Sequence, residues 1–206
     1  MTREQQKKFR ELKKCCAQML GKSAKAYGFK KKDCMIWSAK GELYFSLMVD
    51  VREKDGRCWC AAWERIKPLW MDELFWDIID MPENKSEPLS LRCIGAFAIS
   101  GMTFFEDRRE LPEWRAEELE KCIAEYLEHF RDTVNDSDME SWNSVFDERA
   151  YQGEVQAILL LIHRQEYREA LERVQSMEER SYFQNKGIWF KEYAEAYCRR
   201  HISPGD

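Results

Sequence analysis

The stretch from Leu43 to Arg65 constrains this chain more than any other. Leu43, Phe45, Leu47, Val49 and Val51 alternate with Tyr44, Ser46, Met48 and Asp50, and the pattern resumes at Arg57-Cys58-Trp59-Cys60-Ala61-Ala62-Trp63. A period of two sends successive side chains to opposite faces, so each run is a strand with one face for a core and one for solvent or a partner. Between the runs, Asp55-Gly56 supplies the positive φ angles of a tight hairpin turn.

Ahead of this hairpin the spacing predicts an amphipathic helix. Thr2 and Gln5 fit a capping box, Phe9, Leu12, Cys16, Met19, Leu20, Ser23, Ala26 and Tyr27 recur every three or four residues, and Gly28 suits a left-handed cap. Cys34 to Ser38 reads as a short strand turned by Ala39-Lys40-Gly41. After Pro68, Trp70 to Ile79 reads as a short helix with Leu74, Phe75, Ile78 and Ile79 inward. Pro82 to Pro88 is a polar loop, and the apolar run Leu89 to Ser100 is expected as a central or covered strand.

After Gly101 the expected period is helical. Pro112 suits a first turn, and Leu119, Ile123, Tyr126, Leu127, Phe130 and Val134 form one stripe. A second helix is expected from Ser137, boxed by Glu140, until Gly153 breaks it. Glu154 to His163 and Glu166 to Met177 suggest an antiparallel helical hairpin, and Tyr182 to His201 a closing helix. The expected class is α+β: an antiparallel sheet of about four or five strands packed by an N-terminal helix, then an all-helical region. The division expected is a sheet domain over residues 1–110 and a helical region over 111–206.

The net charge of −5 is unevenly spread. Residues 1–32 hold eleven Lys or Arg against Glu4 and Glu11, so the chain has a basic arm and an acidic body. Eight cysteines without an apolar leader segment suggest reduced thiols in a cytoplasm, and no apolar run reaches the ~18 residues of a membrane span. Eight Trp, eight Tyr and eleven Phe predict an aromatic core.

Motifs for chemistry are sparse. Cys58 and Cys60 share one strand face and lack the Cys-x-x-Cys spacing of a zinc knuckle. Asp136-Ser137-Asp138-Met139-Glu140 opens like a calcium loop, but Ser141 and Asp147 stand where the glycine and the bidentate glutamate belong. Phosphate-cradling glycine loops, nucleophile elbows and dinucleotide fingerprints are absent from the sequence, so no catalytic residue, cofactor or metal is expected. Glu125 and His129, four apart, make an ion pair on one helix face, or a site assembled from scattered residues if a pocket surrounds them.

Two surfaces are left as binding candidates. Asp132, Asp136, Asp138, Glu140, Asp147 and Glu148 form a run without Lys or Arg around Trp142 and Phe146, as a binder of a basic protein would present. Lys7, Lys8, Lys13 and Lys14, continued by Lys30, Lys31 and Lys32, could instead neutralise nucleic-acid phosphates, or serve only as a solvated helix face.

Gln165-Glu166-Tyr167-Arg168-Glu169-Ala170-Leu171-Glu172 resembles the turn and second helix of a tetratricopeptide repeat, and Gly153 and Gly187 lie that repeat's 34 residues apart. Tyr27-Gly28-Phe29-Lys30-Lys31-Lys32, a Trp-containing strand and hairpin, Leu91-Arg92-Cys93-Ile94-Gly95 and a Glu-rich helix resemble the uncharacterised bacterial family catalogued as domain of unknown function four-three-zero-four. That likeness spans roughly residues 5–132 and implies an α+β domain without an assigned activity. Together these features lead to the expectation of a non-catalytic protein-binding module, of the immunity type for a basic toxin. The alternatives are nucleic-acid binding by the first helix and an enzyme with an unrecognised site; a membrane is not expected as a partner.

Overall fold

The computed structural model describes residues 2–32, 34–93, 97–142, 146, 153–178 and 183–202. The chain is α+β and divides into two compact units. The first comprises Met1–Lys67 and Gly101–Met139, the second Pro68–Ser100 and Glu140–Asp206. This division does not follow the linear split expected at residue 110: the helix after that point belongs with the sheet, and Pro68–Ser100 belongs with the later helices.

The first unit is a five-stranded antiparallel meander in the order β1-β2-β3-β4-β5. It comprises helix α1 (Arg3–Ala26), β1 (Lys30–Lys32), β2 (Met35–Lys40), β3 (Leu43–Lys54), β4 (Arg57–Pro68), β5 (Met102–Glu110) and helix α3 (Ala116–Asp136). The hairpin turns at Asp55 (φ 53°) and Gly56 (φ 77°), as the Asp-Gly pair predicts. Leu12, Cys16, Leu20 and Ala24 are the buried stripe of α1, whereas Ala26, expected inward, is exposed. Tyr44 and Ser46 on the second face of β3 are buried as well, so that strand is covered on both faces for its first five residues.

Two strands escaped the sequence reading. β1 is the Lys30–Lys32 run itself, and β5 is largely charged beyond Phe105. Both lie at the sheet's edges, where charged side chains block pairing with another chain, so they lack the apolar alternation of an inner strand. Gly101 lets the chain enter β5, because a Cβ there would meet the Ile66 carbonyl oxygen at 3.0 Å.

The second unit contains α2 (Leu69–Ile78), α4 (Glu154–His163), α5 (Tyr167–Ser176), a ribbon of β6 (Gln184–Asn185) and β7 (Ile188–Trp189), and α6 (Phe190–His201). Leu89 to Ser100 is not a strand where it is described: Leu89–Arg92 is a 3-10 turn. Arg92, 5% exposed, bonds the Leu69 carbonyl (2.8 Å) and Glu73 (2.9 Å), and Asp72 accepts the Ile99 N–H (2.9 Å). Among the described residues of this run, Leu91, Phe97 and Ile99 pack with α2 instead of pairing in a sheet; Ile99 joins the core with Phe75, Trp76, Ile158 and Phe190. The α4–α5 hairpin is as expected. The last helix starts at Phe190 and not at Tyr182, because Lys186 (φ 50°) and Gly187 (φ 82°) turn the preceding residues back as the ribbon. Gly153 stands at the start of α4 and Gly187 in the turn of the ribbon. Among the described residues no helix is long and apolar enough to cross a membrane.

Candidate functional site

Helices α1 and α3 pack against each other and against β3. The apolar stripe of α3, from Leu119 through Ile123, Leu127 and Phe130 to Val134, drives that packing. Its remaining positions create the polar chemistry of the first unit.

Along β4 and β5, α3 carries Cys122, Glu125, Tyr126 and His129 at three- and four-residue spacings, a single helical face. Tyr126 donates its hydroxyl to Asp107 at 3.1 Å. Arg109 bonds Asp107 at 2.8 Å, bonds Glu125, and lies over the Tyr126 ring. Burial raises the Asp107 pKa, but bonds from Arg109, the Arg108 backbone and Tyr126 outweigh it and hold the carboxyl below its usual range. Glu125 is thus the partner of Arg109 and not of His129, as the four-residue spacing had suggested.

His129 reaches Glu64 on β4, with Nδ1 2.8 Å from Oε1, and stacks on Phe105 at 4.2 Å. The Glu64 side chain is fully buried while His129 is 46% exposed. Burial pushes the Glu64 carboxyl up and the bond to His129 opposes it; Thr133 is the polar group beside it. The second oxygen, Oε2, is sealed from solvent without a hydrogen bond. Such a pair fixes the orientation of an imidazole, as a general base requires, but catalysis also needs a reacting group and a substrate pocket. Among the described residues no cluster of His, Cys, Asp and Glu could hold a metal.

The acidic run does not form one patch within a unit. Asp132, Asp136 and Asp138 belong to the first unit and are exposed, with Asp132 bonded to Arg131 at 2.9 Å. Glu140 and Trp142 belong to the second; Trp142 is half-buried, its ring 6.2 Å from that of buried Phe146. Asp147 and Glu148 lie outside the described residues. The Ser137 hydroxyl donates back to the Thr133 carbonyl (2.6 Å), so it closes α3.

The basic candidates are also divided. Lys7 and Lys14 join Arg3 and Arg10 in a row on α1 that lines a cavity of about 550 Å³. Lys8 is exposed; Lys13 pairs with Asp50 at 3.5 Å and lies over Phe9. Lys30 lies over Trp37, the Lys31 stem passes Gly21, and Lys32 is half-buried in β1. The first unit as a whole carries 22 Lys and Arg against 20 Asp and Glu, so the basic arm belongs to a nearly neutral body. No family model matches the chain, and neither a curated protein nor a solved structure matches it.

The Glu64–His129 pair joins residues 65 apart on different elements, which no local motif reveals. The one signal in the sequence was a glutamate on the face of β4 shared by Cys58, Cys60 and Ala62.

Proposed function

We propose that this protein works by binding a cationic protein, and that the carboxyl end of α3 receives it. One observation carries the reading. Asp132 and Asp136 lie in or next to the last turn of α3, Asp138 follows, and no basic side chain stands in that turn. The carbonyl end of a helix is the negative end of its dipole, so these carboxylates add to a field of their own sign. Lys40 donates to the Asn135 carbonyl at 2.5 Å, which offsets part of that field. Cationic side chains on a partner would offset the rest, and charge complementarity of this kind sets encounter rate and specificity. Nucleic acid fits less well, because its phosphates would meet the acidic α3 beside the cations of α1.

The test compares wild type with a triple variant, Asp132→Asn, Asp136→Asn and Asp138→Asn, in low-salt pull-downs after nuclease treatment. The expected result is a lysine- or arginine-rich protein retained by wild type and lost by a variant that folds at least as stably. Recovery of nucleic acid alone, equal for both proteins and lost on neutralising Lys7 and Lys14, overturns the reading in favour of α1.

A further inference from the structure

We propose that Cys60 and Cys122 are a peroxide-reactive pair that closes into a reversible intrachain disulfide, with Cys122 attacking the oxidant and Cys60 resolving it. The two come from different layers of the first unit, β4 and α3, and the sheet register brings them together. Cys60 is opposite Arg109 in the β4–β5 ladder. Arg109 in turn bonds Glu125 and lies over Tyr126, three and four residues after Cys122 on the same helix face. The register and the helix spacing therefore set the Cys122 side chain over Cys60, and each thiol shifts the other, Cys60 upward and Cys122 downward. Both are buried, Cys60 at 0% and Cys122 at 7% exposure, so Cys122 is the nearer of the two to solvent.

The surroundings separate this pair from the neighbouring thiols. Burial, foremost, pushes Cys16 up to about 12 and Cys58 up to about 11, which keeps both as unreactive thiols. Cys122 is lowered, foremost by Cys60 beside it, against burial and with help from the charge of Arg109. In the reaction the Cys122 thiolate attacks one oxygen of a hydroperoxide; the O–O bond breaks, and the other oxygen leaves as hydroxide or alkoxide and takes up a proton. Cys122 is then a sulfenic acid. The Cys60 sulfur attacks it, the S–S bond forms, and the Cys60 proton leaves with the hydroxyl as water, so one peroxide is reduced and two thiols are oxidised. The product would tie α3 to β4 at a separation of about 2 Å between sulfurs.

The measurement is a peptide map of the wild-type protein after hydrogen peroxide and then an alkylating quench. Trypsin cuts after Arg57, Arg65, Lys121 and Arg131, so the expected product is peptide 58–65 joined to peptide 122–131, released by dithiothreitol, with fragmentation placing the link on Cys60. In Cys60→Ser, dimedone should trap Cys122 as the sulfenic acid. The competing targets are Cys34, which is exposed, and Cys15, which is half-buried, and oxidation at Cys15 with the two peptides unlinked counts against the proposal as it does at Cys34. Oxidation at Cys34 with the two peptides unlinked, or a link through Cys58, overturns the proposal. The wild-type map decides this even if Cys60→Ser fails to fold, and Cys34→Ser removes the surface competitor without touching the core.

Discussion

Helices α1 and α3 lie side by side on the same sheet but are finished differently. In α1 both ends follow the capping and charge rules. Thr2 and Gln5 exchange capping bonds of 3.2 and 2.8 Å, Glu4 stands in the first turn and Lys25 in the last, and Gly28 closes the helix at φ 77°. Helix α3 opens well, with Glu117 and Glu118 in its first turn, and then ends on carboxylates with no cation in the last turn. Both are held by buried apolar stripes, so the difference is not one of packing. On the binding proposal, the unfavourable charge at this helix end is stability given up for a partner.

The comparison can be broken from either side. The largest effect should come from the buried stripe of α3: Phe130→Ala removes a fully buried ring set edge-on to Phe29, just past the end of α1, at 4.9 Å, and should cost about 3–5 kcal/mol in denaturant unfolding. Next is Glu64→Gln. The Glu64 carboxyl is raised in the folded state, so its contribution is fully present below its unfolded pKa and is lost as pH rises through its folded pKa. Urea titrations over that range should show the stability of wild type relative to the variant falling as pH rises, by roughly 1–3 kcal/mol for one buried unsatisfied oxygen. A variant that follows the wild-type slope would place the titration elsewhere.

Smaller effects sharpen the contrast between the two helix ends. Thr2→Ala should cost α1 about 1 kcal/mol, read from thermal unfolding. Asp136→Asn should stabilise α3 by about 0.3–1 kcal/mol, and Lys25→Glu should destabilise α1 by a similar amount, both effects shrinking in high salt. If Asp136→Asn leaves the melting temperature unchanged, the carboxyl end of α3 stores no repulsion, and the binding proposal loses its basis.

Much of the fold was legible where one local signal dominated. The capping box of α1, the Asp-Gly hairpin and the α4–α5 pair each follow from residues within a few positions of one another. The misses share a cause. Lys30–Lys32 and Met102–Glu110 are strands because neighbours supply their hydrogen bonds, and as edge strands they carry charge instead of an apolar rhythm. Leu89 to Ser100 has the rhythm of a buried strand, but Arg92 and Asp72 fasten it to α2.

By itself, the sequence determined what depends on short range: the period of each helix and inner strand, the turn chemistry, and the charge at each helix end. It also determined that Cys58 and Cys60 would share a face, because a strand alternates without reference to anything else. Only the tertiary structure decided which partners those faces meet. That His129 reaches Glu64 and that Glu125 goes to Arg109 both depend on where α3 lies across β4 and β5. That placement is set by the combined burial of apolar side chains from distant parts of the chain, a force without direction that no local pattern records.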